Sequence, residues 1–479
     1  MSLLLTALPV LTAIGLLLVG RGAVTAAVVS AAAAAVVGVG TGSLSWNHLG
    51  EAGEYGLLTL QVLLILLFGM LLAALLERSG AMAELSRFLS DSVPTPALGA
   101  AAVVFGVVPF AESVTGYGVG VTVGVPILRA LGFAPARAVI LGMLGLNTAV
   151  WGALGPGTSI AAQLSGQTFR DVGVFSALFF GPTLLLVAAS AWLTLRLRTG
   201  EPDSPHSEQR GLTAAIAVFG SALLLWAAVL TVNLLIGTAV AGVLGGLIVL
   251  IVLFGFFRLR RGRLPARRAT AVAGLPYAVL TGGLLASYAA YAAWENQLTA
   301  ILIWPPVWLA AACATVFFIW RRRALLPEVP AAVRRWVPVG VSTGGFMMLG
   351  WIMTVTGMST ALGEAASVLG VWPAPTLNTL GGYLVGNTTG SNAMFAQTIA
   401  SMAAGSGADV LLTIAAANVA CSLAIIASPP RLLLGMQMAG ANPASDQRPI
   451  TRILSAAVCL NTLVITAVLT AAVRLSSAA

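Results

Sequence analysis

The chain has 479 residues, 58% of them apolar and 8% charged. A soluble domain carries about 25% charged residues, so this one lacks the surface to stay in water, and its mean hydropathy of +0.98 agrees. The net charge of +9 does not point to nucleic acid, because all 24 basic residues are arginines set between apolar runs and lysine is absent. Without lysine there is no Walker A motif and no Schiff-base chemistry. HExxH and paired CxxC patterns are also missing, so ATP-driven pumping and intramembrane metalloproteolysis are excluded. No cofactor is expected.

In chain order, Ser2 to Val19 is apolar without a basic n-region or a cleavage site, and predicts a first membrane helix rather than a removed signal. Runs near 20 residues, long enough to cross the hydrocarbon core, follow at 23–41, 57–76, 136–154, 173–195, 211–231, 236–257, 272–293, 298–320, 336–357, 410–427 and 453–473. Two stretches, 92–131 and 373–408, each hold two short apolar runs joined by a Gly/Ser/Thr/Asn-rich break, and predict re-entrant hairpins. Cys313, Cys421 and Cys459 each sit inside an apolar run, as small packing residues do.

Charge placement supports this topology. With the N-terminus outside, 22 of the 24 arginines fall in inside loops, Arg431 counted among them, leaving Arg170 and Arg474 outside. The positive-inside rule then fixes the orientation of twelve spans, two hairpins and two outside termini, in a bacterial inner membrane. The expected organisation is scaffold helices over 1–56, a first repeat over 57–198, further scaffold over 199–335 and a second repeat over 336–479. Seven crossings separate the repeat starts, so the halves are inverted, with the first hairpin opening from the cytoplasm and the second from outside. Inverted repeats with broken helices in matching places mark a secondary transporter with its site near the midplane.

The first break holds Glu112, Ser113, Thr115, Gly116, Tyr117 and Gly118. Glu112 is the acidic residue that no loop accommodates. A carboxylate within a bilayer costs at least about 2.5 kcal/mol and usually serves a pathway or relay; burial favours its neutral form, which suits a proton carrier. A hairpin brace is the plainer alternative. His48 and His206 fall in loops and are poor intramembrane relays. Glycines at 116, 118 and 120 permit close backbone approach, and a helix starting there would aim free N–H groups at an anion. The second break, Gly386 to Asn392, contains Asn387, Thr388, Thr389, Gly390, Ser391 and Asn392. Small polar residues in a row do not face lipid; they line a solute site or bind helices together. Asn147 and Asn418, one in each repeat, fit either role. Their helices end in Gly155-Pro156-Gly157 and Ser428-Pro429-Pro430, with Ser428 and Arg431 as further site candidates. Arg431 could fork onto a substrate carboxylate, but such a residue is more often simply the first arginine of an inside loop.

These residues resemble the lactate permease family. Glu112 through Gly118, Leu131-Gly132-Phe133 and Asn147 follow its Glu-Gly-x-Ala-Gly-Phe-Gly signature, Leu-Gly-Phe turn and asparagine helix. Gly386 to Phe395, Asp409 to Leu412, Asn418 and Ser428-Pro429 follow its second signature. The departures are Ser113 for a glycine, Tyr117 for a phenylalanine, Thr388 for an aspartate and Pro430 for a glutamine. The resemblance implies a symporter of L-lactate, glycolate and related 2-hydroxymonocarboxylates with protons, of the elevator type and often dimeric. Sodium coupling through the neutral oxygens of Asn147, Asn418 and the second break, or an uncoupled anion channel or exporter, are the alternatives. An enzyme is not expected.

Overall fold

The computed structural model describes residues 2–50, 52–116, 118–196, 211–261, 268–320 and 322–478. The expectations for Tyr117, His206 and Arg198, Arg210, Arg263, Arg267 and Arg321 lie outside them. The described residues are helices and short connections. In chain order they are α1 (Leu3–Leu18), α2 (Ala23–Gly40), α3 (Ala52–Arg78), α4 (Ala81–Ser92), α5 (Pro96–Thr115), α6 (Val119–Ala130) and α7 (Pro135–Leu154). Then come α8 (Pro156–Ser165), α9 (Phe169–Arg196), α10 (Leu212–Leu235), α11 (Thr238–Arg261), α12 (Arg268–Ala293), α13 (Gln297–Leu302) and α14 (Pro305–Ile319). The last seven are α15 (Glu328–Val355), α16 (Met358–Ala366), α17 (Pro373–Val385), α18 (Thr388–Gly405), α19 (Val410–Ala427), α20 (Pro429–Ala439) and α21 (Pro443–Ala478).

Eleven of these helices are long and apolar enough to cross a membrane. Ten coincide with expected spans. The runs expected at 2–19 and 298–320 fall short, the first as a 16-residue helix and the second because Trp304-Pro305 divides it into α13 and α14. The eleventh is α5, the first arm of the first break, which at 20 residues is longer than a half-span. The chain is a multi-pass membrane protein.

Both breaks are helix–turn–helix hairpins. Gly120 and Gly124 of α6 lie back against Val108 of α5, and Gly381 of α17 lies against Ser391 and Phe395 of α18. Local chemistry sets the ends. Thr95 caps α5, its hydroxyl accepting from Leu98 N–H at 3.4 Å, with Pro96 pre-set for a first turn. Pro109 cannot donate within α5, and a wide π-turn at Val103–Val107 lies just ahead of it. Asn387 caps α18, and Asp409 caps α19, each accepting a backbone N–H at 2.8 Å.

The order of helices from α3 to α9 recurs from α15 to α21: a long helix, a short amphipathic one, a hairpin, a helix whose end tightens to 3-10, a short helix behind a proline, and a long closing helix. The packing recurs as well. Hairpin arm α6 lies on α20, and hairpin arm α18 lies on α8, so each hairpin rests on the short helix of the other series. Helices α9 and α19 pack together, as do α7 and α21. The middle helices α10 and α11 line the first series, while α2 packs on α15.

Candidate functional site at the two helical breaks

Glu112 stands on the last turn of α5, 3% exposed. Its carboxylate accepts the N–H of Gly118 at 3.0 and 3.1 Å and that of Gly120 at 3.3 Å. The N–H groups expected to be free for an outside anion are therefore held by the chain's own. The physical reason is that a helix start leaves orphan donors, and in an apolar interior the carboxylate six residues upstream is the acceptor within reach. Gly118 has φ +88, a left-handed conformation that glycine adopts without strain.

Arg431 is the correction to the loop assignment. It sits in α20, 7% exposed, not in a loop. Its Nε donates to the Gly386 carbonyl at 3.0 Å, at the second break. Its Nη1 lies against Gly118 of the first break, where a Cβ would clash with it. Among the described residues Glu112 is the one buried acid and Arg431 the one buried base. Gly118 joins them, bonded to one and in contact with the other.

The remaining candidates divide between the breaks. Gly116 (φ +70) abuts Ala153, and Ser113 Oγ lies 3.5 Å from Thr148 Oγ1 and faces Gly242 of α11. Thr115 donates back to the Ala111 carbonyl at 2.7 Å. Asn147 donates to the Val104 carbonyl, inside the π-turn, at 3.0 Å and to Leu144 at 2.9 Å; its Oδ1 is buried without a partner. Ser428 is fully buried beside Gly386, and its Oγ also has no partner. Such buried unpaired atoms are rare enough to call for an explanation.

The second break forms a hydrogen-bonded web. Asn387 Oδ1 accepts Gly390 N–H, and Thr388 Oγ1 reaches the Ala149 carbonyl at 3.4 Å. Ser391 donates to Asn378 Oδ1 at 2.6 Å, and Asn378 donates to Asn392 Oδ1 at 2.8 Å. Asn392 donates to Asn418 Oδ1 at 2.9 Å and to the Gly157 carbonyl at 3.0 Å. Asn418 donates to Thr158 at 3.0 Å and Ser176 at 3.2 Å. Thr389 and Gly390 are buried on the same turn. Asn378, Thr158 and Ser176 were not singled out from sequence. Asn378 carried a signal, a lone amide in an apolar arm; two hydroxyls in ordinary helices did not.

A further feature no motif announced is the backbone at Ala153 and Leu154, with φ +50 and +66. Positive φ in residues other than glycine is uncommon and costs of order 1–3 kcal/mol, so the packing around it must fix it. It presses on Gly116 at the first break. On the opposite side of α5 a cavity of about 320 Å³ is lined by Met82, Phe110, Leu250, Phe254 and Tyr277, an apolar wall unsuited to a carboxylate.

No family model matches the sequence. It is similar to the L-lactate permease of Streptococcus iniae, 23% identical over 358 residues that cover 67% of this chain and 73% of that protein. That similarity supports the resemblance to the lactate permeases. At Gly118 the Glu112 carboxylate, the backbone N–H groups that donate to it and the Arg431 guanidinium lie together.

Proposed function

We propose that this chain is a secondary active transporter that carries small 2-hydroxymonocarboxylates, L-lactate and glycolate among them, across a bacterial inner membrane together with a proton. The observation that carries this reading is the meeting of Glu112 and Arg431 at Gly118, between the two helical breaks. A guanidinium and backbone amides suit the substrate carboxylate, and the buried acid suits the proton. The name of the Streptococcus relative supports lactate as the first substrate to try. Among the site candidates, Arg431, Gly118 and Ser428 would contact the substrate, while Asn147, Ser391, Asn392 and Asn418 would brace the breaks.

Proton coupling is favoured over sodium because the neutral oxygens of Asn378, Ser391, Asn392 and Asn418 bond to one another rather than converging on one point. The two series of seven helices would be inverted in the membrane, with hairpins 92–131 and 373–408 re-entering from opposite faces. They would move as the elevator against α1, α2 and α10–α14.

Uptake of labelled L-lactate into proteoliposomes, driven by an inward proton gradient without sodium, tests the reading. Accumulation abolished by a protonophore is expected. Accumulation that requires sodium at fixed pH would replace the proton, and equilibration without accumulation would indicate a channel.

A further inference from the structure

The anion that occupies the amides of Gly118 and Gly120 is part of the chain. A substrate monocarboxylate has the same head group, and the one buried base of the described residues already lies against Gly118. We propose that Glu112 is an internal stand-in for the substrate carboxylate: the two compete for the N–H groups of Gly118 and Gly120, and protonation of Glu112 releases them. This rests on the reading above that the substrate is a small monocarboxylate.

The exchange follows from the strengths of the bonds. An ionised carboxylate makes hydrogen bonds about twice as strong as a neutral acceptor does, so ionised Glu112 holds both amides against a weaker competitor. Two carboxylates do not share such a site, because like charges this close disfavour each other's ionised form. One proton added to a Glu112 carboxylate oxygen makes the side chain neutral and weakens its bonds to Gly118 and Gly120. The incoming carboxylate then accepts those N–H groups beside Arg431. Ser428 Oγ, buried and unpartnered near the Gly386 carbonyl that Arg431 holds, is placed to bond a hydroxyl next to that carboxylate.

Charge balances across the exchange. Before it, Glu112 carries one negative charge. Afterwards the substrate carries it and Glu112 holds the proton, while Arg431 stays positive throughout. The empty and loaded sites therefore have the same net charge, and the membrane potential neither drives nor opposes their transit. The elements packed on α5 leave this balance to these two residues. Helix α3 carries its charged groups at its ends, Glu54 and then Glu77 and Arg78, and the hydroxyl of its Tyr55 is bonded to the Met347 carbonyl. Helix α11 carries its arginines at its C-terminal end, and the 3-10 stretch of α7 has no titratable side chain. Arg129 of α6 is bonded to the Phe133 carbonyl, and Tyr277 of α12 meets Phe110 on the other side of α5.

The test is titration calorimetry of L-lactate into the purified full chain, from about pH 5.5 to about pH 8.5, in buffers of different ionisation enthalpy. Where Glu112 is ionised, one proton should be taken up per lactate bound. The apparent Kd should weaken about tenfold per pH unit there, because the protonated fraction alone is competent. Glu112→Gln should bind lactate with no proton uptake and a Kd independent of pH. Wild-type binding that is independent of pH and takes up no proton would overturn the competition and leave the substrate reading standing. So would a Glu112→Gln protein that keeps the wild-type proton uptake. Absence of binding by lactate, glycolate and other small monocarboxylates at every pH would overturn both. The wild-type measurement decides the matter even if the variant does not fold.

Discussion

An isolated charge in an apolar bundle costs several kcal/mol, and this chain buries two near one glycine. Glu112 is compensated by backbone N–H groups, and Arg431 by the Gly386 carbonyl. Gly118 permits both, through its positive φ and its missing Cβ. Gly118→Ala should therefore lower the unfolding temperature of the purified protein, since a left-handed alanine costs roughly 1–2 kcal/mol and its methyl displaces the guanidinium. Gly255→Ala on α11, where a Cβ meets open space, is the control and should not lower the unfolding temperature, since alanine favours the helix at such a site. Arg431→Lys keeps the charge but loses the planar fork. At least about a tenfold fall in kcat/KM for uptake is expected, equal to about 1.4 kcal/mol, with the protein still folded by gel filtration.

At the scale of helices, the breaks are held by different chemistry. Helix α6 is capped by a carboxylate from the preceding arm, whereas α18 is capped by its own Asn387 and fastened by amides to α8, α17 and α19. In the proposed exchange, protonation would loosen the first cap and leave the second intact. Asn392 is the node of the fixed web, touching Asn378, Asn418 and the Gly157 carbonyl. Asn392→Ala takes the donor from buried Asn418 Oδ1 and from the Gly157 carbonyl and should cost about 1–3 kcal/mol, read as a lower unfolding temperature in a thermal-shift assay. An unchanged midpoint would mean the web adds little beyond packing, as some polar contacts between membrane helices do.

For the whole molecule, the recurrent packing matters most, because each hairpin rests on the short helix of the opposite series. In the proposed elevator, movement of either break would thereby be tied to the other. The proposed orientation is open to direct test by thiol labelling in a Cys459→Ser background, which removes the exposed cysteine and keeps the buried Cys313 and Cys421. Ser45→Cys should react with an impermeant maleimide from outside intact cells, and Glu77→Cys should react after permeabilisation alone. The reverse pattern would turn the topology over.

Sequence by itself determined the multi-pass membrane character, ten of the eleven long apolar helices, both breaks and the family resemblance. Each of these is local: hydropathy over about 20 residues, clustered glycines and amides, or a short signature. It also singled out Glu112, since an acid that fits no loop is visible without coordinates. Tertiary structure decided which partners those residues take. Arg431 after Pro429-Pro430 reads the same in a loop as in a buried helix, and its place between Gly118 and Gly386 depends on α20 packing against α6. The helices α4, α8, α16 and α20 are too short or too amphipathic to stand out as spans. The capture of the Gly118 and Gly120 amides by Glu112 needed the return of α6 along α5. Periodicity shows where a chain can cross a membrane; the pairing of buried donors with acceptors is settled when distant helices meet.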